Sequence, residues 1–185
     1  MKIGLIGKMC SGKTHVGNIL SRKCALKKLA FADKVKEIAK DLFNMKHKDR
    51  ALLQKIGKSM RNIDPNVWIN YLLYNLNNDS FDRFIIDDIR YPNELLALQE
   101  RGFIIIKLIV DKDTQRERLI KTYPNTFQEH LDRLNHESEI NIDNMEGDFT
   151  IKSDENIIEN ILECIDPYYG KSLDSSSTFS ASMFS

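Results

Sequence analysis

The run Gly7-Lys8-Met9-Cys10-Ser11-Gly12-Lys13-Thr14 constrains this chain more than any other stretch, because it meets G-x-x-x-x-G-K-[ST] at every specified position. At ordinary residue usage, a chance match somewhere in a chain of 185 residues is well under about 1 in 100. The context agrees. The apolar run Ile3 to Ile6 enters the loop, and a helical pattern from Thr14 to Lys23 leaves it. Glycines let such a backbone wrap closely, so that successive N–H groups and the helix N-terminus point at an anion. Lys13 is then placed for the β- and γ-phosphates of ATP, and the Thr14 hydroxyl for Mg2+. Gly7, Lys8, Met9, Cys10, Ser11 and Gly12 complete the expected ATP seat.

The rest of the chain alternates in type. Short, continuously apolar runs at Ile3 to Ile6, Phe84 to Ile86 and Phe103 to Val110 read as buried parallel strands. Lys28 to Ala32 and Phe149 to Lys152 are weaker strand candidates. Between them lie helical stretches at Lys34 to Phe43, Arg50 to Met60, Val67 to Leu76, Pro92 to Glu100, Asp113 to Tyr123 and Glu155 to Ile165. Alternating strands and helices predict an α/β, three-layer P-loop NTPase fold: a parallel sheet of about five strands with helices on both faces and a helical lid. One domain is expected over residues 1–170, with the lid at about 113–139. The serine-rich stretch 171–185 is expected to be a disordered tail.

Composition removes several function classes. Lys plus Arg number 27 and Asp plus Glu 27, so the formal charge is zero. That argues against nonspecific nucleic-acid binding or a polybasic membrane contact as the main role. No apolar run approaches the roughly 20 residues of a membrane span. Cys10, Cys24 and Cys164 are an odd count without metal-ligand spacing, and a reduced, cytoplasmic protein is the simplest reading. The charge around Cys10 favours its thiolate, unless the sulfur faces inward as a small hydrophobe. The D-x-x-G and [NT]-K-x-D signatures of GTPases are not found, and motor ATPases and helicases usually need a larger core. A small kinase remains, which needs a second pocket for the phosphoryl acceptor.

Four stretches fit that demand. Asp33, Lys34 and Lys36 follow the second strand candidate, at the sheet edge where ligands sit in such folds. Arg61 closes one helical stretch, and Trp68 lies in the next. Asp87-Asp88-Ile89-Arg90-Tyr91-Pro92-Asn93-Glu94 follows the strand at Phe84, and His136-Glu137-Ser138-Glu139 follows an arginine-bearing helical stretch. His136 alone is not a metal site.

With these motifs, from the phosphate loop to about the helix at Glu155, the chain resembles the deoxynucleoside monophosphate kinases of phages and large DNA viruses. These belong to the P-loop nucleoside monophosphate kinase superfamily. Phosphomevalonate kinases of the animal type share a similar D-x-R…N-E stretch and H-x-S-E, so they are the nearest competitor. The Asn-, Lys- and Ile-rich composition also resembles the product of an AT-rich viral genome.

The resemblance implies ATP and Mg2+ as cofactors and transfer of phosphate to a (deoxy)nucleoside monophosphate. It implies that Asp88 lies near magnesium and the acceptor, with Asp87 as the alternative because adjacent strand residues face opposite ways. Arg61 and Arg90 would grip the acceptor phosphate, with Glu94 and Glu139 beside them. Asp33 and Lys34 fit either the acceptor pocket or a helix cap, and Trp68 fits either the base or the core. Of Arg116, Arg118 and Arg133 in the lid, one or two would stabilise the transferring phosphoryl group, with Arg116 taken as catalytic. The expected partner is a small-molecule nucleoside monophosphate, with no nucleic acid and no membrane, and a homodimer is compatible with the sequence. A non-kinase nucleotide-binding regulatory module is the reading from another class.

Overall fold

The computed structural model describes residues 1–168 apart from 133, 135 and 136. The expected tail at 171–185, and the candidates Arg133 and His136, therefore lie outside the described residues. Five strands form one sheet in the order β2-β3-β1-β4-β5: β1 (Lys2–Gly7), β2 (Lys27–Leu29), β3 (Phe84–Ile86), β4 (Ile104–Ile109) and β5 (Phe149–Lys152). Every pairing is parallel, with Ile3 opposite Ile85 on one side and Ile104 on the other. The α/β expectation holds, and the reason is visible in the core. In β1, β3 and β4 the residues alternate between two apolar layers, which is why these three read as apolar runs, whereas the edge strands β2 and β5 are partly polar and exposed.

Ile3, Leu5, Ile85, Ile106, Leu108 and Ile151 pack on one face against Val16 and Leu20 of α1 (Lys13–Lys23) and Ile157, Ile158 and Ile161 of α9 (Ile157–Ile165). On the other face Ile6, Phe84, Ile86 and Ile105 pack against α2 (Ala32–Phe43), α3 (Arg50–Ile63), α4 (Val67–Asn78) and α5 (Pro92–Gln99). Over the carboxyl ends of the strands run α6 (Lys112–Thr122), α7 (Phe127–Asp132) and α8 (Glu137–Asp143). This is the region expected to be the lid, and α8 is anchored: Ile142 and the following Met145 are almost fully buried.

One boundary differs from expectation. The strand predicted over Lys28 to Ala32 ends at Leu29, and α2 already begins at Ala32. The Asp88 carboxylate accepts the N–H groups of Phe31 (3.0 Å) and Ala32 (2.9 Å). Two of the four orphan donors of α2 are thereby satisfied from another strand, and the chain turns early. Among the described residues, no helix is long and apolar enough to cross a membrane.

Candidate functional site

Strand order reverses direction at β1, which lies between β3 and β4. In an open parallel sheet this switch point leaves a crevice at the carboxyl ends. A cavity of about 1670 Å³ occupies it. Its walls come from the phosphate loop, the turns after β2, β3 and β5, and helices α3, α6 and α8. A shallower depression of about 450 Å³ lies by Ser21, Lys27, Asp79 and Phe81 at the sheet edge, where Lys27 and Asp79 already pair with each other.

The loop after β1 has a cradle conformation. Cys10 (φ 60°) and Gly12 (φ 89°) are left-handed, which turns successive N–H groups inward. At Gly7 a side chain is excluded, since a Cβ would lie 2.5 Å from Ser11 Oγ and 2.7 Å from Leu108 O. Lys13 is buried and donates to Gly7 O and to Lys8 O (2.8 Å). Burial, with the charge of Arg90 adding to it, lowers its ammonium to about 8. Ser11 Oγ is buried with no hydrogen-bond partner among the described residues. Thr14 is exposed to the cavity. Lys8 instead pairs with Asp143 (2.7 Å) at the surface.

Two glutamates organise the opposite wall. Glu94, nearly fully buried, accepts from Arg61 Nη2 (2.9 Å) and from the backbone N–H groups of Arg90 (2.9 Å) and Tyr91 (3.1 Å). The Arg61 guanidinium also lies 4.2 Å from the centre of the Tyr91 ring. Burial, together with the charge of Asp88, pushes the Glu94 carboxyl up to about 7, although the three donors oppose it. Glu139 of α8 accepts from Arg90 Nη1 (2.5 Å) with one oxygen and from the Met9 N–H (2.7 Å) with the other. It thus ties the arginine of one wall to the phosphate loop of the other. Gln115 Nε2 holds the Met9 carbonyl (2.6 Å).

The carboxylates after β3 divide as strand geometry requires. Asp88 faces α2 and is committed to the two backbone donors described above; burial raises its carboxyl above the ordinary range. Asp87 faces α1. It pairs with Lys28 (2.7 Å), and a methyl placed on Gly17 would sit 3.2 Å from its Oδ2. Gly17 is one turn beyond Lys13 and Thr14, so Asp87 lies on the side of α1 that carries them.

Several expected site residues are elsewhere. Trp68 is buried in the core, and its indole N–H donates to Gly57 O (3.2 Å), so it does not stand beside a base. Lys34 turns away from the cavity, pairing with Glu37 (2.8 Å) and lying over Tyr71 (5.4 Å). Asp33 does line it, accepting from Ala30 N–H and Lys36. Arg116 is exposed, with its guanidinium 5.8 Å from the Phe127 ring centre and outside the cavity lining. Arg118 is inside, donating to Cys10 O, Ser153 Oγ (2.7 Å) and Ser153 O (2.9 Å). Residues two apart on a helix point about 200° apart, so only one of this pair can face the cleft.

The Cys10 thiol also departs from the expected thiolate. Burial raises it above the ordinary range, although Lys13, Arg118 and Arg50 pull the other way. The residues the sequence reading passed over are Lys28, Lys48, Arg50, Gln115 and Ser153, all without a motif to mark them.

No protein-family model matches the chain, and no curated protein sequence matches it. Solved structures do share its fold. A shikimate kinase from Aquifex aeolicus aligns over 91% of this chain and 98% of its own with TM-score 0.52 and 18% identity. A shikimate kinase from Acinetobacter baumannii, in complex with shikimate, aligns over 92% and 95% with TM-score 0.55 and 18% identity. An uncharacterized protein from Eubacterium ventriosum aligns over 91% and 98% with TM-score 0.57 and 16% identity. At such identities the likeness is one of fold: the chain shares its five-stranded parallel sheet and flanking helices with these structures.

Proposed function

We propose that this chain transfers the γ-phosphate of ATP to the phosphate of a (deoxy)nucleoside monophosphate. The observation that carries the reading is one cleft with two anion-binding poles. The phosphate loop with Lys13 forms the first, and Arg61 and Arg90, both held by buried glutamates, form the second. The cleft, near 1670 Å³, has room for a nucleotide and a second ligand side by side. The kinase fold of the solved neighbours supports phosphoryl transfer in general.

In this reading the loop amides and Lys13 bind the donor's phosphates, while Arg61 and Arg90 bind the acceptor's phosphate bidentately. Arg90 is the hinge of the arrangement, because Glu139 orients its guanidinium and Glu94 its backbone. Magnesium fits the residues present: the exposed Thr14 hydroxyl and the Asp87 carboxylate share one side of α1, and would hold the ion that neutralises the transferring charge. Asp88, already bonded to two amides, is the poorer ligand. The acceptor phosphate is ionised at neutral pH, so transfer needs alignment and charge neutralisation and no base.

The second reading is a kinase for a small metabolite acid. The neighbour solved with shikimate favours it. An ADP-release assay across the ribo- and deoxynucleoside monophosphates, shikimate and phosphomevalonate separates the two. Turnover with a monophosphate well above the acceptor-free rate is expected. Turnover confined to a metabolite acid overturns the first reading, and acceptor-independent hydrolysis alone overturns both.

A further inference from the structure

Among the described residues, six cations that line the cleft, Lys13, Lys48, Arg50, Lys55, Lys58 and Arg118, have no carboxylate within ion-pair distance, and two of them stand at the start of α3. Lys48 precedes α3, Arg50 lies in its first turn, and both line the cavity. Among the described residues, neither is within ion-pair distance of a carboxylate, whereas Lys8, Lys28, Lys36, Arg61 and Arg90 each are. Lys48 is an exposed residue whose ammonium lies below the ordinary range, through partial desolvation first and then the charges of Arg50, Lys36 and Arg90. Cations gathered without anions cost free energy unless a ligand supplies the charge.

The Arg50 guanidinium is held in place by groups that leave its charge uncompensated. Nη2 donates to Tyr123 Oη (2.5 Å), and Nη1 lies 3.3 Å from His130 Nδ1. The guanidinium carbon sits 4.8 Å from the centre of the Tyr123 ring, and that ring stacks on buried His130 with centroids 3.9 Å apart. A guanidinium has five N–H donors, so three remain for a ligand. Its field reaches the phosphate loop, where it acts on Cys10 together with Lys13 and Arg118. Lys48 lines the same cavity as Arg90, whose charge acts on it. Arg50 and Lys48 therefore share one cavity with the phosphate loop and with Arg61 and Arg90.

We propose that Arg50 is a catalytic arginine that meets the terminal phosphate of the donor nucleoside triphosphate, supplied from α3 and steadied by Tyr123 and His130. This rests on the kinase reading above. In the step, a bond forms from an acceptor phosphate oxygen to the γ-phosphorus. The bond from that phosphorus to the β–γ bridging oxygen breaks, and its electron pair stays on ADP. Charge accumulates on the equatorial oxygens between the poles, where a permanently charged, forked donor is most effective. The lid arginine expected for this role, Arg116, faces away, and Arg118 is engaged with Ser153 and Cys10.

The test is calorimetric titration of MgATP and of MgADP into the full chain and into Arg50→Ala, with kcat from the ADP-release assay. Arg50→Ala should bind ATP about tenfold more weakly with ADP within about twofold, and kcat should fall by about 10²-fold. Arg50→Lys, which keeps the charge and loses the fork, should recover less than a tenth of kcat. It also serves if the alanine variant melts early. Equal loss of ATP and ADP, unchanged binding of both, or a loss confined to the monophosphate overturns the proposal. The ATP-versus-ADP comparison needs no acceptor, so it stands or falls separately from the identity of the acceptor.

Discussion

Replacing Glu94 by Gln should flatten the pH dependence of stability, by an amount the structure sets. Glu94 is nearly fully buried, and desolvation pushes its carboxyl from the ordinary 4.5 up to about 7. An acid with a raised folded value binds its proton more tightly folded than unfolded. Its contribution is fully present below about pH 4.5 and is lost as pH rises through about 7. Integrating between pH 5 and 7.5 gives about 2.4 kcal/mol of stability lost to this one group. For a chain of this size that is roughly 5–10 °C in Tm.

Glutamine cannot ionise, so Glu94→Gln should not show this share of the loss. The difference between the two proteins isolates it. Asp88 is also raised, but it is common to both. Lys13, lowered to about 8, acts in the opposite sense: its penalty is constant below that value and relieved as pH climbs toward 10.5, outside the window. Urea unfolding at half-unit steps from pH 5 to 7.5 is the assay. Parallel curves for wild type and Glu94→Gln would show that the three donors, rather than burial, dominate the carboxyl, and would refute the reasoning.

Lys13→Ala should lower kcat by about 10³-fold or more with the melting temperature unchanged within a few degrees, measured by ADP release and calorimetry. Trp68→Phe should cost about 1–2 kcal/mol through the lost bond to Gly57 O and the smaller ring, with KM for the acceptor unmoved, because the indole faces the core. Cys10 should label slowly with iodoacetamide at pH 7 and quicken only at alkaline pH, since burial raises its thiol; fast labelling at neutral pH, mapped by mass spectrometry, would contradict this.

Local chemistry made a large part of this protein readable from its sequence. The phosphate loop is legible because its function is a backbone shape, and glycines at Gly7 and Gly12 are the residues that permit it. Strand β3 matches its expected limits because a doubly covered parallel strand must be apolar at every position, and this needs no knowledge of its neighbours; edge strand β5 also keeps its expected limits, although its Thr150 and Lys152 are polar and exposed. Arg61, Arg90, Glu94 and Glu139 sit in short motifs, and they do meet around one cleft.

Tertiary structure decided the rest, because each remaining choice depends on which way a side chain points and on what another segment offers it. Asp87 and Asp88 are equivalent in sequence, but pairing of β3 with β1 and β2 sends one toward α1 and the other to the amides of α2. Arg118 faces the cleft and Arg116 does not, since Ser153 waits 35 residues away to receive the former. Arg50 is the extreme case. Its partners Tyr123 and His130 lie 73 and 80 residues further on, so nothing near Arg50 in the chain marks it. Periodicity is a property of neighbours along the chain, whereas a cleft is assembled from residues that are neighbours only once the sheet has closed the distance between them.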